Sequence, residues 1–159
     1  GTTLWSDFDA LAVHAPEAQR LKARDKAYRA ANYYLKKTLT TRHGEPWLAE
    51  GLREQALVCQ DWLRAALATP FDGPTVVITH FAPSLHSADP RYGLVPGTAG
   101  FCNALDELLP YAQLWLHGHL HAPSDYRVGH CRVVANPLGY ARKNEQLGYR
   151  PDLLIEISP

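Results

Sequence analysis

The 159-residue sequence contains no methionine. That absence predicts that Gly1 is not a translation start: either a leader has been removed, or the sequence is the C-terminal piece of a longer protein. Cysteine is scarce. Cys59, Cys102 and Cys131 lie far apart, are odd in number and form no CxxC pair. This argues against a disulfide framework and a thiolate zinc site, and predicts three small buried thiols in a reducing, cytoplasmic compartment. An excess of charge of one sign is also lacking, since 16 Lys and Arg balance 16 Asp and Glu. A globally basic nucleic-acid glove and an acidic tail are thereby disfavoured. No apolar run approaches the roughly 18 residues a membrane span needs, and no signal-peptide pattern opens the chain, so no membrane partner is expected. The length fits one domain over 1–159, or part of one.

What is present alternates between strand and helix signals. Thr2 to Phe8 reads as an entry strand, and Ala15 to Leu39 as a weak helix. Half of the basic residues fall between Arg20 and Arg42. They make either a solvated segment or a contact surface for phosphate or nucleic acid. Glu45 to Ala68 carries helical spacing through Leu48, Leu52, Ala56, Cys59, Trp62 and Leu63, with Pro46 suited to a first turn. Thr75 to Thr79 is a β-branched run that predicts a strand buried on both faces. A long polar loop follows over 81–98, of a length more often functional than idle. Ala99 to Leu109 predicts a helix with Phe101, Leu105, Leu108 and Leu109 inward. Gln113 to Leu116 is the next strand. Asp125 to Val128 and Cys131 to Ala135 form a hairpin around Gly129-His130. Asn136-Pro137-Leu138-Gly139 is a turn, with Asn136 stabilising it, and Asp152 to Ile157 is a last strand. The class is α/β, or α+β in layers.

Three of the eight histidines end strands. His80 follows TVVIT, and His119 and His121 follow QLWL in HGHLH. In extended backbone, positions i and i+2 share a side, so His119 and His121 aim at one locus, and Gly118 permits close approach. The crossover through 99–109 makes the two strands parallel neighbours, so their C-terminal ends share a rim. Neutral imidazole is a ligand for Zn, Cu, Fe or Ni, and His80, His119 and His121 are read as a metal-binding set. His117 shares their strand face and reads as a packing group behind the ligands. In the long loop, His86, Arg91 and Tyr92 are either substrate-binding or ordinary solvated residues. His14, His43 and His130 read as surface residues.

VVITHFAPS, LWLHGHLH and CRVVANPLGY together resemble the C-terminal half of the calcineurin-like metallophosphoesterases, with Gly118-His119-Leu120-His121 the most specific element. The resemblance implies half of a four-layer αββα sandwich. It implies hydrolysis of phosphoester bonds by a metal-activated hydroxide, with two divalent ions (Mn, Fe or Zn) in the intact enzyme. His80 and His119 would hold the second ion and His121 the first. Phe81 stands where that family often has a second histidine. The D-x-H, GDxxD and GNH[DE] motifs are missing, and Asp7-Phe8-Asp9 is a D-x-D. No catalytic residue is therefore expected in this chain, because the general-acid histidine belongs to the missing N-terminal part. Three neutral imidazoles cannot offset two cations, so the chain alone is expected to hold at most one ion and to be inactive. The implied partners are a phosphoester substrate, with a nucleotide or nucleic acid included, and the N-terminal half of the same protein or an exchanged subunit. Two alternatives stand beside this. One is a mononuclear zinc hydrolase with three histidine ligands and an open position. The other is a non-catalytic truncated module that binds or dimerises through an uncovered sheet.

Overall fold

The computed structural model describes residues 1–157. Helix α1 (Glu17–Lys37) starts after Pro16, whose φ of −53° suits a helix entry. Glu17 in its first turn and Lys36 and Lys37 in its last complement the helix dipole. Its inward side, around Ala27, Tyr28, Ala31 and Leu35, packs against Phe8, Ala49, Leu52 and Ala99. A two-residue ribbon follows, β1 (Thr41–Arg42) against β2 (Glu45–Pro46), turned at His43 and Gly44 with φ of 54° and 87°. This corrects the expected start of the second helix. Pro46 lies in the ribbon, and Trp47 stands outside the helix with its edge on Trp5. Helix α2 (Ala49–Ala68) begins instead where the Ala49 N–H donates to Asn32 Oδ1 of α1, at 2.8 Å. Leu52, Ala56 and Leu63 are buried as the spacing predicts, but Trp62 is half-exposed. Gln60 joins the buried stripe because its Nε2 donates to Asp7 Oδ2 at 2.8 Å.

The sheet has the order β3-β4-β6-β5, from β3 (Val76–Ile78), β4 (Leu114–Leu116), β5 (Ser124–Val128) and β6 (Cys131–Ala135). β3, β4 and β6 run parallel, and β5 pairs antiparallel with β6. The chain is thus of the mixed α/β class. Val77, Trp115 and Val133, adjacent in register, face α2 and the turn 106–111, and Trp115 is fully buried at the centre. The β5–β6 hairpin turns at Gly129 with φ of 59°, as expected of glycine in a primed turn.

Several expected elements differ. β3 is an edge strand rather than one buried on both faces. Val77 is buried, but Ile78 is 56% exposed, because nothing among the described residues covers its side. Thr2–Phe8 is not a strand beyond a single parallel bridge, Thr2 to Thr79. Leu4, Trp5 and Phe8 take φ of 69°, 55° and 63°, coiling the segment so that Leu4 enters the sheet core and Phe8 the helix core. The helix expected over 99–109 is two 3-10 turns, Pro96–Gly100 and Asp106–Tyr111. Fully buried Asn103 separates them, its Nδ2 donating to the carbonyls of Trp5 and Ala82 at 2.8 and 3.2 Å. Leu105, Leu108 and Leu109 are inward, whereas Phe101 is 41% exposed. No strand forms over 152–157. Asn136 ties the 150s down through the Arg150 backbone, with bonds of 2.8 and 3.0 Å. Among the described residues, no helix is long and apolar enough to cross a membrane.

Candidate functional site

Parallel pairing places the ends of β3 and β4 on one rim. The ladder continues past both strands. The Thr79 N–H donates to Leu116 O at 2.9 Å and the Gly118 N–H to His80 O at 3.0 Å. This carries His80 and His119 into contact, with His80 Nε2 and His119 Nδ1 3.2 Å apart. The His119 ring stacks on Phe81, with centroids 4.1 Å apart and 23° between planes, and leans against Phe101 at 5.2 Å. Phe81, notable in the sequence as a replaced histidine, is here the platform for another one. Burial, followed by the charges of His80 and His121, pushes the His119 imidazole down to about 4. At neutral pH it is therefore uncharged, with one nitrogen lone pair to offer. His119 adopts φ of 63°, a left-handed conformation uncommon outside glycine. A Cβ at Gly118 would meet His80 Nδ1 only at 3.5 Å, an ordinary contact. It is the left-handed turn at His119, more than a missing side chain at 118, that brings the rings together.

That turn also undoes the alternation expected to align His119 with His121. The backbone beyond Leu116 is no longer a strand, and the His121 ring is engaged by partners of its own. Its Nδ1 lies 2.8 Å from Glu145 Oε2, and its edge meets Tyr140 at 4.5 Å. Glu145 is buried, although the sequence around it, Arg142-Lys143-Asn144-Glu145-Gln146, has the composition of a solvated turn. The same Oε2 accepts the Tyr140 N–H at 2.8 Å, and Oε1 stands 3.6 Å from Arg91 Nη2. The Tyr140 N–H, then the His121 ring, hold the Glu145 carboxyl below its usual range. Gly139 is required here. It sits at φ of 66°, and a Cβ would fall 2.4 Å from the Glu145 Cβ.

The remaining expected residues have other partners. His117 is buried, with Nε2 2.9 Å from Ser87 Oγ and 3.3 Å from Ser124 Oγ, and Nδ1 3.2 Å from Gly118 O. Burial lowers its pKa. Ser87 also meets the Tyr126 hydroxyl, so His117 fastens the long loop to β5. His86 is exposed beside the Tyr126 ring. Arg91 already spends its fork on Asp89, Nε donating to Oδ1 at 3.0 Å and Nη2 to Oδ2 at 2.6 Å. The Arg91 guanidinium lowers the pKa of Asp89 in turn. Tyr92 lies exposed under the Arg91 guanidinium. His14, His43 and His130 are on the surface, and the three cysteines are unpaired. Asp9 binds Arg24 and Arg53 at 2.7 and 2.9 Å, a structural role for the D-x-D pair.

The structure thus brings two of the three strand-end histidines together. Among the described residues, no group of three or more histidine, cysteine, aspartate or glutamate side chains is gathered to hold an ion. The donor chemistry of the pair nevertheless suits a first-row divalent ion. Two nitrogens each bound at about 2.0–2.1 Å to one tetrahedral ion stand roughly 3.3 Å apart. His80 and His119 already have close to this spacing. They fit as two ligands of a set, with no negative charge of their own. Glu145 and Phe81 were not read as site residues from the sequence. Phe81 carries a signal in its place directly after His80. Glu145 carries none.

No family model matches the chain, and no curated protein matches it. Among solved structures it is similar to the crystal structure of phosphopantetheinyl hydrolase (PptH) from Mycobacterium tuberculosis. Identity is 21%, the match covers 94% of this chain and 51% of that one, and the TM-score is 0.59. The chain therefore spans about half the length of that protein. Membership of the calcineurin-like metallophosphoesterases, which the short motifs implied, is corrected by these comparisons. No family model supports it, and the similar structure is described as a phosphopantetheinyl hydrolase. The physical reason is that three strand-end segments specify a local histidine geometry, not a family. What the likeness establishes is the fold.

Proposed function

We propose that this chain contributes the histidine-bearing part of a metal-dependent hydrolase acting on phosphoester bonds. The observation that carries the reading is the approach of His80 Nε2 to His119 Nδ1, 3.2 Å, at the ends of adjacent parallel strands. A fold shared with a protein described as phosphopantetheinyl hydrolase supports the reaction class. His80 and His119 would hold a divalent ion, and His121 would offer a further nitrogen. A bound divalent ion supplies Lewis-acid polarisation of a phosphoryl oxygen.

The chain's own groups prepare the site. Phe81 and Phe101 exclude water from the His119 ring and keep it neutral. Glu145 orients His121. Two uncharged imidazoles give weak retention, so the remaining ligands, including an anionic one, come from another part of the same protein or a partner subunit. Arg91 is committed to Asp89 and faces Glu145, so it serves to hold the acidic side of the site in place. The three unpaired thiols suit a reducing, cytoplasmic setting.

Turnover of bis-p-nitrophenyl phosphate and of a phosphopantetheinyl-bearing protein, with added Mn²⁺, tests this in parallel with Mn²⁺ uptake. The expected result is Mn²⁺ uptake by the chain that is lost in His119→Ala, with any turnover lost alongside it. Uptake and turnover indifferent to His119→Ala would overturn the proposal.

A further inference from the structure

We propose that Glu145 is a positioning residue for His121: its carboxylate fixes a ring proton on Nδ1 and leaves Nε2 as the nitrogen able to donate a lone pair. The inference rests on the metal-dependent reading above for its purpose, but on separate atoms for its geometry. Glu145 Oε2 is 2.8 Å from His121 Nδ1. A carboxylate can only accept, so the imidazole must carry its hydrogen on that nitrogen. A neutral imidazole has one N–H, and Nε2 is then a lone pair.

Besides His121, the carboxylate is held by two further partners. The Tyr140 N–H donates to Oε2 at 2.8 Å, Arg91 faces Oε1 at 3.6 Å, and Arg91 is anchored by its two-pronged contact with Asp89. Gly139 leaves room for the Glu145 side chain where any Cβ would collide. The Tyr140 ring also meets the His121 ring in a T-shaped contact, with centroids 4.5 Å apart. A buried carboxylate with this many restraints would be a costly way to hold a surface turn. Carboxylate-bound imidazoles are how ligating histidines are oriented and made more basic, and loss of the carboxylate typically weakens metal affinity by about 10–100-fold.

Ring-nitrogen NMR of His121, with Zn²⁺ affinity from competition with a chromophoric chelator, tests this. The wild-type chain is expected to carry the His121 proton on Nδ1. Glu145→Ala should release it to Nε2, the form an unrestrained imidazole prefers, and weaken Zn²⁺ binding about 10–100-fold. Glu145→Gln keeps the size and one acceptor but turns an amide toward Arg91, and should shift the proton partly. A wild-type proton on Nε2 overturns the inference even if neither variant folds. So does a proton that stays on Nδ1 in a folded Glu145→Ala. If the proton moves as expected while the wild-type chain takes up no Zn²⁺, the positioning role stands and the metal-dependent reading falls.

Discussion

His119 and His121 are two residues apart, yet opposite chemistry holds them. His119 lies on Phe81 and against Phe101, with another imidazole as its polar neighbour. Its neutrality follows from the exclusion of water. His121 is bound to a buried carboxylate that Tyr140 and Arg91 restrain in turn, so its proton is placed by a hydrogen bond. One brace is apolar and comes from Phe81 and Phe101, both upstream of the ring they hold. The other is ionic and comes from 24 residues downstream. A two-residue spacing does not give two equivalent ligands. A single left-handed residue, His119 itself, divides the motif into two environments.

The largest effect is expected on the apolar side. Phe81 is buried in the main core and carries the His119 ring, so Phe81→Ala is expected to cost about 3–5 kcal/mol. Urea unfolding measures the loss, and His121 in any folded remainder should keep its Nδ1 proton. The ionic side breaks through the backbone. Gly139→Ala combines a strained φ with a collision against Glu145, and should cost about 1–3 kcal/mol while freeing the His121 ring. Thermal unfolding and the His121 tautomer check this together.

The third route is pH. The His119 pKa is lowered from 6.5 to about 4 by burial. Below pH 6.5 the unfolded chain takes a proton that the fold refuses until near pH 4. Stability from this residue is thus present above 6.5 and lost as pH falls through that window. An NMR titration should find the His119 midpoint near 4, and Phe81→Leu should move it up toward 6.5. The smallest effect belongs to Arg91→Ala. Its guanidinium is half-exposed and screened by solvent, so only a small loss of stability is expected, measurable in the same urea series.

Local pattern was enough for part of this molecule. The β-branched run 75–79, the QLWL strand and the hairpin around Gly129 all form, because each declares its period and its turn within a few residues. Helix α1 follows its composition as well. Other segments are decided at a distance. Asn103 cuts a plausible helix in two because its amide serves carbonyls of residues 5 and 82. Leu4 and Phe8 turn a strand-like segment into a coil because two separate cores claim them. The site divides the same way. Parallel strand ends made the meeting of His80 and His119 readable. The path of His121 was not, since its partner is an acidic residue in a basic, polar turn with no local mark of burial.

On this reading His80 and His119 act as one donor pair. Adding Zn²⁺ stepwise to the chain while following the ring nitrogens tests it most directly. His80 Nε2 and His119 Nδ1 are expected to respond together, saturating at one bound ion per chain when Zn²⁺ is in excess, and His80→Ala to abolish the response at His119. A His119 ring unmoved by saturating Zn²⁺, or one that responds equally without His80, would contradict it.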